Sequence, residues 1–335
     1  MSLRFWRRVR LAPGVTLNLS KSTASLSFGP RGAKYTVSPR GNRSTVGIPG
    51  TGLFYTVQDR KTAAARSAPG TRDKFSLGFF RRLVTPPEEK ALVDGLRALY
   101  EGDETTALRV LEGATDLSDG AWMAGMIRLK REDLAHARQH LEAALARADQ
   151  LGSHFTKYGI TPQIDLPIAQ GVSAHIRPCE RGTRLALVEL SEAGGDLTAA
   201  KKQLERLIQI APDDPVVVLS FVQVALDASD DQALMDRVIA MTAATQNDSP
   251  IDTGILLYRA RALGRRGLPD AAIDVLTRAL RRRKDRPESL LHQIRYDRAD
   301  LYERVGRRAQ SRRELERLYA EAPGFDGLSE RLGLS

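Results

Sequence analysis

The first 58 residues contain neither aspartate nor glutamate, yet they carry nine Lys/Arg residues; all 41 acidic residues lie beyond them. Residues 1–74 hold 14 basic and two acidic side chains, and the remainder 37 basic and 39 acidic. The net charge of +10 therefore belongs to the N-terminal fifth. Acid-free sequence excludes carboxylate acid–base or metal chemistry there, and it makes an uninterrupted positive field available to a polyanion. Cysteine is nearly absent as well. Cys179 is the only one, which excludes an intramolecular disulfide and suits a reducing compartment. No run approaches the roughly 20 apolar residues that a membrane-spanning helix needs. The charged start, Met1–Arg10, is followed by no apolar stretch of the kind that makes a secretory signal. The expectation is a cytoplasmic protein, peripheral if it meets a membrane.

A chain of 335 residues, 42% of them hydrophobic, is long enough for two or more domains. Residues 14–58 alternate short β-prone stretches with Gly/Pro turns. Candidate strands are Val15–Leu19, Ala24–Phe28, Lys34–Val37, Ser44–Ile48 and Leu53–Val57. Turn signals recurring about every ten residues predict an antiparallel meander, and Val15, Leu17 and Leu19 alternate onto one face. Phe5, Trp6, Val9 and Leu11 supply either cover for that face or a first strand. The block Pro13–Ser22, the turn Gly29-Pro30-Arg31-Gly32, and Gly47–Leu53 resemble a small bacterial domain of unknown function, family 4236, over about residues 3–57. That resemblance implies a fold unit and no activity.

Gly47–Gly52 is not a phosphate loop, since neither Gly-Lys-Ser/Thr nor a helix start follows. Its glycines suit a tight turn. The basic residues of the module have two readings, a solvated surface or an anion-binding face for nucleic acid or anionic lipid. Candidates for the second are Arg7, Arg8, Arg10, Lys21, Arg31, Lys34, Arg40 and Arg43, with Trp6, Tyr35, Phe54 and Tyr55 as stacking platforms.

Residues 59–74 lack large apolar side chains and predict a flexible linker. Phe75, Phe79, Phe80, Leu83 and Val84 then fall near helical spacing beside Arg81 and Arg82, expected to pack on the first helix of the next domain or to touch a membrane surface.

From Pro86 a trio recurs: a small residue, a large apolar one four later, and a small or apolar one three after that. It reads Ala107/Leu111/Ala114, Ala137/Leu141/Ala144, Ala200/Leu204/Leu207, Ala272/Leu276/Ala279 and Ser311/Leu315/Leu318. These spacings put each trio on one helical face. Gly102, Gly195, Gly267 and Gly306 lie five residues before four of the trios, where a turn between paired helices is expected. A weaker unit surrounds Ala233 and Ala240, with Arg237 where a large apolar residue belongs. The pattern is similar to tetratricopeptide repeats, most typically at Leu204–Pro215. The resemblance implies helix pairs stacked into a solenoid whose inner face binds a partner protein. On that face it places Gln293, Tyr296, Asp300 and Glu303 in the last unit and Arg261 one unit earlier. Between the second and third trios, Ile164–Ile168 and Val172–Ile176 alternate like strands around Gln170-Gly171, predicting a β-hairpin insertion near 160–178.

Catalytic patterns are missing. His136 and His140 share a helical face but have no third ligand in sequence. Cys179 and His175 have no nucleophile spacing. Asp213/Asp214 and Asp230/Asp231 suit helix caps, and Arg281–Arg286 suits a solvated helix end. The expectation is a multi-domain α+β protein. Residues 1–58 form a small all-β antiparallel meander, 59–74 a linker, and 75–335 an α-helical tetratricopeptide-like solenoid with a β-hairpin insertion. It is read as a non-catalytic interaction scaffold with no cofactor and no metal. The alternative is a binder of nucleic acid or of an anionic membrane surface.

Overall fold

The computed structural model describes the backbone of residues 6–12, 15–20, 23–28, 33–37, 42–47 and 54–59, and residues 85–334 apart from 159, 161, 163, 170, 171, 229 and 230. The segment 75–84, the linker from residue 60, and the turn at Gln170-Gly171 lie outside the described residues. Asp59 does not belong to a linker; it ends a strand.

Strands β1 (Trp6–Ala12), β2 (Val15–Ser20), β3 (Thr23–Phe28), β4 (Ala33–Val37), β5 (Asn42–Gly47) and β6 (Phe54–Asp59) follow one another in the sheet, each antiparallel to the next. A register shift interrupts β1 between Arg10 and Ala12, the signature of a β-bulge. Two further strands, β7 (Ile164–Ala169) and β8 (Val172–Ile176), form a two-stranded sheet. Val172, Ala174 and Ile176 of β8 are buried while Ser173 and His175 are exposed, the period of two that the sequence displays.

The chain divides into two compact units, Met1–Leu166 with His175–Gly195, and Pro167–Ala174 with Asp196–Ser335. The helices of the first are α1 (Pro87–Glu101), α2 (Glu104–Leu111), α3 (Ser118–Lys130), α4 (Leu134–Leu145), α5 (Ser153–Lys157) and α6 (Glu180–Ala193). Here α1 packs on α2, α3 on α4, and α4 on α6. The trios do the packing: Ala107, Leu111, Ala114, Ala137, Leu141 and Ala144 are all fully buried. Each leucine meets a glycine of the preceding helix. A Cβ added to Gly95 would lie 2.6 Å from Leu111 Cγ, and one added to Gly125 would lie 2.8 Å from Leu141 Cγ. The missing methyl lets the paired helices close, and burying each leucine stabilises the pair by about 1.5–3 kcal/mol.

The helices of the second unit are α7 (Leu197–Ile210), α8 (Pro215–Ala228), α9 (Gln232–Met241), α10 (Pro250–Arg265), α11 (Pro269–Leu280), α12 (Glu288–Arg304), α13 (Arg308–Glu321) and α14 (Leu328–Leu332). The pairs α10/α11 and α12/α13 repeat the arrangement, with their trios buried, and α14 closes over Ala299, Leu315 and Leu318. The α9 helix departs from expectation. Ala233 and Ala240 are exposed, and Met235, Val238 and Thr242 are buried instead. The cause is Arg237. It cannot enter a core, so it sits over the Phe221 ring at 4.5 Å and pairs with Glu205 at 2.7 Å.

The predicted turn glycines, Gly102, Gly195, Gly267 and Gly306, have φ between 73° and 87°, the left-handed region that a side chain penalises. At the corresponding position before Ala137 stands Glu132, with φ 64°. Asp103, Asp133 and Asp196 follow the first three of these five turns and accept a hydrogen bond from the backbone of the next helix. Leu268 and Arg307, in the last two, make no such bond.

Candidate partner-binding groove

Helices α10 and α12 lie side by side in the second unit. The α10 helix starts from a reciprocal cap: Ser249 Oγ accepts from Asp252 N–H at 3.1 Å, and Asp252 Oδ2 from Ser249 N–H at 2.8 Å. Facing turns of the two helices line a cavity of about 260 Å³ that includes Arg261, Arg265, Tyr296, Asp297, Asp300 and Arg304.

Asp297 organises the cavity, and sequence reasoning missed it. It accepts from Arg261 Nε at 2.5 Å and from Gln293 Nε2 at 2.6 Å. The Arg261 guanidinium also lies 5.2 Å from the Tyr258 ring centre. Burial opposes the Arg261 charge, but Asp297 more than offsets it and lifts the guanidinium above its ordinary pKa. Asp300 pairs with Arg304 at 2.8 Å. Arg261 and Asp300 thus line one cavity, and Gln293 is joined to it through its bond to Asp297. Tyr296 lines it too, but its ring stacks on Phe325, 5.1 Å between centres, with the Arg331 guanidinium 4.8 Å away. Glu303 pairs with Arg331. Tyr296 and Glu303 therefore hold α14 as much as they face outward. The spacing of residues along α12 was the available signal. Neither the Asp297 tie nor the return of α14 is local in sequence.

Asp119, Glu89 and Glu321 make ties within the fold. Asp119, at the start of α3, is fully buried. It accepts from the Gly152 N–H at 2.6 Å and the Phe155 N–H at 2.9 Å, and burial pushes its carboxyl above the ordinary range. Glu89 of α1 is also buried. Burial opposes its charge, but Lys157 at 2.6 Å, the Tyr158 hydroxyl and His154 outweigh that and hold its carboxyl below the usual range. Glu321 gathers Arg295 at 2.7 Å, with His292, Arg283 and Arg317 between 3.6 and 3.7 Å.

His136 bonds to Asp133 at 2.9 Å, and His140 is buried beside Glu112 at 3.4 Å. Among the described residues no group of three or more His, Cys, Asp or Glu is placed to hold a metal ion. Asp214 and Asp231 cap α8 and α9 through the Val216 and Ala233 N–H groups; Asp230 lies outside the described residues. The basic run Arg281–Arg286 is not wholly solvated. Arg286 is 8% exposed and donates to Thr253 Oγ1 at 2.6 Å and the Asn247 carbonyl at 2.9 Å. Of the anion-binding candidates, Arg7, Arg8 and Arg10 fall on β1, Lys34 on β4 and Arg43 on β5. Lys21, Arg31 and Arg40 lie outside the described residues. No helix among the described residues is long and apolar enough to cross a membrane.

Residues 3–56 match a family described as a protein of unknown function, DUF4236. No curated protein matches the chain in sequence. Among solved structures, the N-terminal domain of the EccA1 ATPase from the ESX-1 secretion system of Mycobacterium tuberculosis is similar. The TM-score is 0.52 and the identity 15%, over 73% of this chain and 88% of that one. A tetratricopeptide-repeat protein of Thermus thermophilus aligns at TM-score 0.41 and 16% identity, over 63% of this chain and 97% of that one. At 15% identity the likeness to the EccA1 domain is one of fold alone.

Proposed function

We propose that the protein is a non-catalytic interaction scaffold. Its helical repeats bind an extended segment of a partner protein in the groove between α10 and α12, and the basic β module serves as tether or second recognition unit. The supporting observation is the groove itself. The buried trios of α11 and α13 pack against its two walls, and Asp300 and Arg304 keep much of their side chains exposed in it. It offers guanidinium, carboxylate, amide and phenol groups within two or three helical turns. Such a set recognises a peptide by hydrogen bonds and paired charges rather than by apolar burial.

The test is capture of protein partners from native lysate on the full chain and on variants carrying Asp300→Ala with Gln293→Ala, and Arg261→Ala. The expected result is a discrete protein retained by the parent chain and lost from the double variant, with thermal unfolding of the second unit unchanged. Retention of every captured protein by both variants refutes the groove assignment.

A further inference from the structure

Strand register sorts the N-terminal basic residues onto faces, which sequence order alone does not do. Directly paired residues of antiparallel strands share a face, as do alternate residues of one strand. Following the pairs across the sheet gives one continuous row: Arg10, Thr16, Ser27, Thr36, Arg43 and Gln58. Two residues along each strand, the same face carries Arg8 on β1 and Lys34 on β4. The neighbouring row on the opposite face reads Val9, Leu17, Leu26 and Val37. Arg7, paired with Leu19, falls on that apolar face, and so does Asp59, the one carboxylate in the six strands. Apart from Trp6, Gly47 and Phe54, the strand residues of that face are thus guanidinium, ammonium, hydroxyl and amide residues, with no acid among them.

We propose that this face is a sequence-independent binding surface for the sugar–phosphate backbone of duplex nucleic acid. Arg, Lys, Ser, Thr, Asn and Gln are the side chains that contact phosphate oxygens in such complexes, and they make up the central row and its neighbours here. Arg10 and Arg43 are four strand spacings apart, about 19 Å at ~4.8 Å per strand. The charge is spread over the surface rather than clustered at one headgroup. A membrane surface is disfavoured because the large aliphatic residues that would enter the interface belong to the opposite face. Single strands are disfavoured because Tyr35 and Tyr55 pair into rows of the apolar face. Of the four aromatic platforms expected from sequence, the basic face keeps only Trp6 and Phe54, on the two outermost strands.

The test is binding of the full chain to a short mixed-sequence DNA duplex as a function of salt. Four phosphate contacts give a slope of log affinity against log salt of about −3.6, which is roughly a 150-fold loss between 50 and 200 mM. Combining Arg10→Ser with Arg43→Ser is expected to reduce that loss to roughly 12-fold. Arg7→Ser removes a charge from the other face and is expected to leave the slope unchanged. Three results overturn the proposal: no duplex binding at low salt, a slope altered as much by Arg7→Ser as by removing one of the face arginines, or tighter association with phosphatidylserine vesicles than with the duplex. Arg10→Lys with Arg43→Lys keeps the charge, and retained duplex binding in that variant separates loss of contact from loss of fold.

Discussion

Glu132 and Gly102 occupy equivalent turns of one structural unit, and they make a matched thermodynamic pair. Gly102 has φ 87° and open space around it, with no atom within 4 Å of an added Cβ. Gly102→Ala therefore creates no clash. It costs the left-handed penalty of about 1–2 kcal/mol, less the roughly 0.4–1 kcal/mol that alanine returns by restricting the unfolded chain. The net is about 1 kcal/mol of destabilisation. Glu132 already bears this penalty at φ 64°. Its side chain is exposed and has interactions of its own, so the backbone effect is isolated by comparing Glu132→Gly with Glu132→Ala. The glycine variant should be the more stable of the two by about 1 kcal/mol, the Gly102→Ala effect with its sign reversed. Urea denaturation followed by far-UV circular dichroism and by the fluorescence of Trp122, which is fully buried in α3, reads both changes on the transition of the same unit. If the alanine at position 132 proved equal to or more stable than the glycine, or if Gly102→Ala cost nothing, the left-handed turn would not be the feature that selects glycine.

Three further outcomes are expected. Leu268 caps α11 with no side-chain hydrogen bond and is 51% exposed, so Leu268→Asp should supply the cap that Asp103 and Asp196 provide elsewhere and raise the second unit's stability by about 1 kcal/mol, read as a shift in urea midpoint. Asp119→Ala leaves the Gly152 and Phe155 N–H groups without their acceptor and should cost about 2–5 kcal/mol, whereas Asp119→Asn keeps one acceptor and should lose less; equal losses would argue against these two bonds. The Glu89 carboxyl is held below its ordinary value, so its contribution is present above about pH 4.3 and lost as pH falls through the lower folded value; comparing the parent chain with Glu89→Gln across that window should show the variant's stability falling less steeply.

The helical part of the fold is legible because its determinants are local. The four-and-three spacing of Ala137, Leu141 and Ala144 is a property of one helix, and burial of that face follows directly. The glycine before four of the five trios reads as a left-handed turn for the same reason. A small residue against four of the five trio leucines was also written in the sequence: Gly95, Gly125, Ala260 and Ala299 each stand sixteen positions before the leucine of their pair. What escaped is what depends on chain return. Asp119 stands in the first turn of a helix, where an acid is ordinary, and nothing nearby in sequence shows that residues 152–155 fold back onto it. Arg286 looks like the last charge of a solvated run until Thr253 and Asn247 are brought to it. Tyr296 reads as an open groove residue because Phe325 and Arg331, which lie against it, come from the loop after α13 and from a helix of only five residues.

The tie between Asp119 and the start of α5 also bears on how this part of the chain can vary. The excursion between α4 and α6 does not leave from a loose end. Its first turn is fastened by two backbone hydrogen bonds to a buried carboxylate of α3, and Phe155 sets its ring edge-on against Trp122, 6.2 Å between centres. Length or composition changes further along the excursion leave that fastening and the α3/α4 pair as they are. Descendants of this sequence that keep the buried face of the hairpin, with Val172, Ala174 and Ile176, are free to vary its exposed positions while inheriting Asp119, Trp122 and Phe155 as a set.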